Sequence, residues 1–563
     1  MDRQTSWLKQ AQKADKSVVL LLITLLITPA CSFDDASLPP PRPASTTAAL
    51  STTPTIGGTL IDASIGDAST LIPLIASDAA SHAITGMLYL SLLKYDKDLN
   101  LVGQLADHWT IADNNLSITF HIRPNIHWSD GQAFDAHDCV FTLALMQNEH
   151  TQSPYKSDYL KVSRFEAPDD STFIVHYDEP YSPALASWAQ LSILPQHDFE
   201  HEDIMNTPRS RQPKATLGPY TLQEWQPQQS IRMKRNPNYF DGTVWIDERL
   251  TRIIPDSATQ FLELSAGRID MMTLTPMQYN RLFETEARLT RDYARYRYTA
   301  PVYTYLGFNL KRPMFADQRV REAMAYAIDR QELVDGVLLG EGEVIASPYK
   351  PGTYWVNQHL KPRSYQPEKA KALLMQAGWH DEDGDGYLEK DGQPLRFTVL
   401  TNNGNQQRAT CAMIMQQRLK AVGIQMNIRL VEWSAFIENF INKRDFDAVI
   451  LGWSLSPEPD QYSIWHSSQT GPRQFNFLSY SNKVVDHALE SAQKVYDPVL
   501  RKQYYDQMQQ EIFNDLPLVF LFAPYALPTL HKRVQGIKPA PAGIGHNSEF
   551  WHISSPAINT ILP

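Results

Sequence analysis

Cysteine is scarce. The chain of 563 residues holds three, Cys31, Cys139 and Cys411. None has the close spacing of a metal-ligand pair, which excludes a cysteine-built zinc or iron–sulfur site. Cys139 follows "DAHD" at the head of an apolar helical pattern, and Cys411 lies in the helical run "QRATCAMIMQQRLKAVG". A thiol in such a place packs as a small hydrophobe, so both are expected buried and free, with a Cys139–Cys411 bridge as the alternative. Long apolar runs are missing as well. The stretch that comes nearest, Val18 to Ile27, is shorter than the ~20 residues of a membrane-spanning helix. Positive charge is in deficit, with 51 Lys and Arg against 62 Asp and Glu. An acidic surface repels phosphate backbones, which excludes nucleic acid as a partner. The catalytic signatures GxSxG, HExxH, GxxxxGK and GxGxxG do not occur. "HDFEH" sets His197 and His201 four apart, where one helical face could offer both to a metal, but a solvated turn accounts for it too. Calcium or another ion aside, no cofactor and no enzymatic activity are expected.

What is present points to binding. The length exceeds what one core serves, so two or more lobes are expected. Twelve Trp and 25 Tyr supply broad, rigid contact surface with a polar tip, which suits a cleft, although plain burial uses such residues too. The first residues run from a net positive stretch through a short apolar run to "ITPAC", the layout of an export signal over residues 1–30. "ITPAC" is similar to the bacterial lipoprotein box, with Cys31 as the lipidated residue, although Thr28 stands where Leu is usual. The Ser-, Thr- and Pro-rich segment that follows, residues 31–54, buries too little apolar surface to fold and is expected to be a flexible tether.

Along the body, strands are expected at Thr59 to Ser64, "LSITFHI", "TFIVHY", "TYLGFNL", "LRFTVLT" and "GIQMNIRLVEW". Helices are expected after the N-cap Asp135, up to Gly267, over Val320 to Ile328, between Pro367 and Gly378, and in "DPVLRKQYYDQMQQEIFNDLP". The strand–helix–strand order of the second half implies an α/β sheet. In "DFDAVILGWSLSPEPDQY" a run of Ala448, Val449, Ile450 and Leu451 reads as a buried strand. It stops at Gly452 and Trp453 and breaks into Ser, Pro and acid, as if to hold something at its end.

"LADHWTIADNNLSITFHIRPNIHWSDGQAFDAHDCVFTL", "GPYTLQEWQPQQSIRMKRNPNYF", "YLGFNLKRPMFADQRVREAMAYAIDRQELV", "YQPEKAKALLMQAGW" and "FDAVILGWS" follow one another in this order. The set resembles the family 5 extracellular solute-binding proteins, the oligopeptide- and dipeptide-binding receptors of ABC importers. That resemblance implies an α/β, two-lobe periplasmic-binding-protein fold of type II, of the large cluster with an extra subdomain. The ligand would lie in the interlobe cleft. It implies a first lobe of residues 55–95, 216–308 and 519–563, an extra subdomain at 96–215 and a second lobe at 309–518. The partners implied are a peptide ligand, the permease and ATPase subunits of an ABC transporter, and a membrane reached through the lipid anchor, in the periplasm or at the outer surface. A monomer is expected. Rival readings keep the fold but change the solute to a nickel chelate, haem, a sugar oligomer or an opine-like compound, or make the chain a peptide-sensing signalling receptor.

In the peptide-binding members that "GWSLSPEPDQY" resembles, an Asp follows Gly-Trp closely and takes the ligand's α-amino group; here that position is Ser456. A hydroxyl gives no charge pairing. Asp460, with Glu458 as the alternative, is therefore expected to meet a cationic end. Trp453 is expected to wall the cleft, and Ser454 and Leu455 to offer backbone bonds. Thr70, Leu71 and Ile72, after the first strand, complete the expected ligand contacts. Separately, Asp381, Asp383 and Asp385 before Gly386 copy the first half of an EF-hand loop, but its twelfth position is Gly392 instead of Glu. A structural calcium remote from the cleft and a plain polar turn both fit.

Overall fold

The computed structural model describes residues 54–554. The expected signal, Cys31 and the tether as far as residue 53 lie outside the described residues.

Two seven-stranded sheets build two lobes. In the first sheet Thr59–Ser64 runs parallel to Glu248–Ile253, with Thr59 opposite Glu248 and Ser64 opposite Ile253. Ser230–Arg235 and Tyr220–Gln226 extend it on one side, and Met271–Thr273, Pro528–His531 and Tyr293–Arg295 on the other. The second sheet sets Ala448–Ser454 between Val302–Phe308, antiparallel, and Arg396–Asn402, parallel. Leu518–Ala526 and Gln425–Val431 flank these. Parallel strands joined through helices on a two-lobed chain are the α/β architecture expected from the sequence.

One boundary shifts. Val302–Phe308 and the head of Leu518–Ala526 fall near or inside the expected limits of the first lobe, yet both pair within the second sheet. The chain therefore crosses between Arg295 and Val302 and returns between Ala526 and Pro528. An extended run reads the same on either side of a crossover, so only pairing could assign it.

The extra subdomain is a four-stranded antiparallel sheet in the order Ala106–Ile111, Ser117–Ile122, Thr172–Tyr177, Val162–Asp169. Alternation decides its faces. Ile118, Phe120 and Ile122 point inward with Phe173, Val175 and Tyr177. The helix Ala136–Gln147 covers them. Asp135 caps it, accepting from the His137 amide, while Asp138 completes a capping box. Val320, Met324 and Ala327 of the helix Gln318–Ala327 are buried together, as their spacing predicts. Cys139 and Cys411 are both buried and free, in separate cores, so the bridge does not form.

Ala448, Val449 and Ile450 are fully buried at the centre of the second sheet. A fully buried Val or Ile is worth about 1.5–3 kcal/mol, which anchors the segment leading into the cleft. The lobes are shut on one another. Trp433 of the second lobe donates from Nε1 to Asp78 Oδ1 of the first at 3.3 Å. Its ring lies over Gly66, where a Cβ would come within 2.6 Å.

Candidate ligand-binding cleft

Between the lobes lies a cavity of about 1160 Å³. Drug-sized ligands occupy pockets of about 300–1,000 Å³, so this one has room for a ligand at or above that size. The first lobe and extra subdomain contribute Asp78, His82, Tyr155 and Asp158; the second lobe contributes Arg408, Trp433 and every residue from Leu451 to Gln461.

The end of Ala448–Ser454 is paired on one side only. Toward Val302–Phe308 the ladder is complete, from Ala448 opposite Phe308 to Ser454 opposite Val302. Toward Arg396–Asn402 it stops after Ala448 and Val449. Gly452, Trp453 and Ser454 thus keep an edge with no strand beside it among the described residues, and all three line the cavity. An extended peptide can add to such an edge by backbone hydrogen bonds, with little demand on its sequence.

Trp453 lines the cavity. Its ring packs edge-on to Phe475 at 5.1 Å and stacks on Phe477 at 5.7 Å. Tyr155 reaches Phe475 from the opposite lobe at 5.4 Å. Ser454 is exposed on the cavity side. The Leu455 amide is already used, donating to the Pro301 carbonyl at 2.7 Å, so it cannot serve a ligand. Ser456 Oγ accepts from Glu458 N at 3.2 Å and from Gln190 Nε2, across the cleft, at 3.4 Å.

The Pro-rich loop is pinned almost residue by residue. Tyr349 Oη donates to the Pro459 carbonyl at 2.7 Å. Gln461 Nε2 donates to the Pro348 carbonyl at 2.8 Å and Gln461 Oε1 accepts from Trp465 Nε1 at 2.7 Å. Glu458 is ion-paired to Arg501, which also donates to Tyr505 Oη at 2.9 Å. Glu458 is therefore committed to the loop. Burial raises its pKa and the Arg501 charge opposes that rise.

Asp460 is different. Gln493 Nε2 donates to Oδ2 at 3.0 Å, while Oδ1 is buried without a partner. Burial first, then the charge of Asp158, pushes its pKa up to about 7. Burial likewise pushes Asp158 up to about 6. Both line the cavity, one from each side. At the strand edge stands the opposite charge. Arg408, in the first turn of the helix Gln406–Lys420, donates from Nη1 to Asn402 Oδ1 at 2.9 Å. Among the described residues no carboxylate lies within ion-pair reach of it. Burial pulls its pKa down to about 10. Its other terminal nitrogen lies beside Gly452, whose missing side chain leaves it room.

Thr70, Leu71 and Ile72 are not in the cleft. Leu71 and Ile72 are fully buried in the core shared with the extra subdomain, and the Leu71 amide donates to the Ser210 carbonyl at 2.7 Å. Two apolar residues followed by Pro pack inward here because the loop is covered by a neighbouring segment. His197 and His201 do not converge: His197 Nε2 meets Asp130 at 2.9 Å, and exposed His201 meets Glu200 at 3.4 Å. Asp381, Asp383 and Asp385 do converge, with carboxylate oxygens within 4.8 Å of one another on an exposed turn. Asp381 accepts from the amides of Gly384 at 2.8 Å and Gly386 at 3.1 Å, so the backbone serves part of this charge.

Asp158, Arg408 and Arg501 escaped sequence reading. "YKSDY" carries no motif, and Arg408 and Arg501 look like solvated positions on helices. A basic residue with no acid four places away was the one available hint for Arg408.

A model of the bacterial extracellular solute-binding proteins, family 5, matches residues 100–474. Oligopeptide-binding protein AppA of Bacillus subtilis is 33% identical over 515 residues, covering 89% of this chain and 92% of that protein. The structure of AppA in complex with a nonapeptide superposes with a TM-score of 0.85 at 31% identity, over 89% of this chain and all of the other. The NikZ structure from Campylobacter jejuni with Ni(L-His) gives 0.79 at 24% identity, over 88% and 99%, a likeness of fold.

Proposed function

The chain belongs to the bacterial extracellular solute-binding proteins of family 5, which are receptors and not enzymes, and from that premise we propose that it captures peptides and hands them to an ABC importer. The observation that carries this reading is the half-paired strand end, Gly452 to Ser454, opening into a cavity of about 1160 Å³. A free strand edge binds backbone, and backbone is what all peptides share. The relative AppA is named for oligopeptides and has a solved structure in complex with a nonapeptide, which supports the same reading. Charge fits as well. The unpartnered Asp460 oxygen suits an amino terminus, and Arg408, lacking an acid, suits a ligand carbonyl or carboxylate.

Closure of the lobes around the peptide strengthens each polar contact by removing water. Cys31 serves as the lipid anchor in this reading, and the segment to residue 54 as the tether that lets the receptor reach its permease. Cys31→Ser should release the protein into the soluble fraction; a variant that stays with the membrane ends the anchor reading. The receptor reading itself is tested by mass spectrometry of material released from the purified protein by denaturation. Peptides of mixed sequence are expected. A metal chelate, haem or saccharide in their place would overturn it. Calorimetry with a recovered peptide and its N-acetylated twin then tests Asp460. Acetylation should weaken binding more than tenfold in the wild type and matter little in Asp460→Asn, since a charged hydrogen bond is worth about 1.5–3 kcal/mol.

A further inference from the structure

One exposed leucine faces the cavity in a conformation that leucine avoids. Leu93–Tyr95 and Leu101–Gly103 form an antiparallel hairpin where the first lobe passes into the extra subdomain. Residues 96–100 make its tip. Among the described residues, the hairpin meets the cavity through Leu99 alone. The Leu99 φ is 66°, in the left-handed region that Gly, Asn and Asp visit and other residues rarely enter.

The tip is fixed from within. The Leu99 amide donates to the Asp96 carbonyl at 3.1 Å, and the Asp96 amide to the Asn100 carbonyl at 2.9 Å. Asp96 Oδ1 accepts from the amides of Asp98 and Asn100, both at 2.9 Å. It is fixed from outside too. The Ala542 amide donates to the Lys97 carbonyl at 3.1 Å. Ala542 sits in a second turn, closed by the Gly543 amide on the Ala540 carbonyl at 2.8 Å. Gly543 lies against the Tyr298 ring, which a Cβ would approach to 3.2 Å. Leu99, Tyr298, Pro541, Ala542 and Gly543 all line the cavity, and none is charged. Lys97 and Asp98, beside Leu99, pair with each other at 2.5 Å.

The Leu99 side chain adds nothing to a core. It is 36% exposed and, among the described residues, joins none of the buried apolar clusters. A lone exposed leucine on an outer surface needs no explanation. Here a strained backbone holds it toward the cleft, as strain is held at functional sites.

We propose that Leu99 and the turn at 540–543 form a side-chain subsite that selects an apolar residue of the bound peptide. The inference rests on the peptide reading above and adds a selectivity to it. The strand edge Gly452 to Ser454 reads backbone and is blind to sequence. Successive side chains of an extended peptide point to opposite walls, so one wall meets every second residue. At the wall of Leu99 an apolar side chain takes apolar surface of both partners out of water. A charged one loses its hydration there and finds no partner.

The test uses hexapeptides of Ala and Ser carrying one Leu, moved through every position, and the same set with Glu in its place. Calorimetry of the wild type should find a position where Leu tightens binding about tenfold over the Ala/Ser parent, the effect of burying a few CH₂ groups, and where Glu weakens it. Leu99→Asn should bring that ratio of affinities close to one, and Leu99→Met should keep most of it. Asn accepts a positive φ, so Leu99→Asn should melt at or above the wild-type temperature. A loss of several degrees would make Leu99 a packing residue and overturn the subsite. So would a Leu preference of equal size in wild type and Leu99→Asn, or no preference at any position. Failure of every hexapeptide to bind overturns the receptor reading, and this inference with it.

Discussion

Lowering the pH should expel peptide from this receptor well above the range in which ordinary carboxylates titrate. Burial, with the charge of Asp158 adding to it, pushes the Asp460 carboxyl up to about 7, and burial pushes Asp158 up to about 6. A peptide amino terminus at the unpartnered Asp460 oxygen favours its ionised form, so in the complex the Asp460 value falls. Ligand binding therefore releases protons wherever the empty site holds them, which is below about pH 7. Above that the carboxylate is ionised before the peptide arrives and nothing is lost. Below it, each pH unit costs up to tenfold in affinity, or about 1.36 kcal/mol. From pH 7, where Asp460 is half protonated, to pH 5, where it is almost wholly so, its protonation should weaken binding about 50-fold. Above pH 8 affinity should fall again, because the peptide's own α-amine titrates at about 7.7–8.0. Kd plotted against pH should thus pass through a minimum near pH 7–8 for a free peptide and stay nearly flat for its N-acetylated twin. Calorimetry in two buffers of different ionisation enthalpy reads the released protons directly. A free-peptide Kd unchanged between pH 8 and pH 5 would refute the reasoning, since it would leave the buried Asp460 carboxylate unconnected to the ligand.

Arg501→Met should destabilise the second lobe by about 3–5 kcal/mol, because it leaves Glu458 buried without its cation; denaturant midpoints measure it, and the double variant with Glu458→Gln should recover most of the loss. Trp433→Ala removes both the ring over Gly66 and the bond to Asp78, so the closed population should drop; scattering should find a larger radius, and peptide should dissociate several-fold faster. Calcium bound by the Asp381–Asp385 turn would raise the melting temperature by a few degrees in millimolar calcium over chelator, and no shift would assign those carboxylates to the backbone amides alone.

Local order was legible without coordinates because it is written in spacing. Asp135 before an apolar run, Pro367 and Gly378 at the ends of a helix, and the alternation of "SITFHI" each fix an element through the residues next to it. The buried run Ala448 to Leu451 and its abrupt end at Trp453 marked the cleft for the same reason. Resemblance of ordered blocks then supplied the two-lobe plan. Charge at the site was not legible this way. Glu458 and Asp460 are two residues apart in the same Pro-rich loop, and spacing could only favour Asp460 without showing what occupies Glu458. Only the helix Pro498–Asp515, arriving from some forty residues away, gives one of them Arg501 and leaves the other an unmet oxygen. Asp158 comes from a different subdomain altogether, and Thr70 to Ile72 were misplaced because burial depends on what covers a loop. Sequence by itself determined the elements, the family and the strand that points into the cleft, since hydrophobic period and capping act over a few residues. The tertiary structure decided which carboxylates are free, because ion pairing and desolvation depend on distance in space and not along the chain.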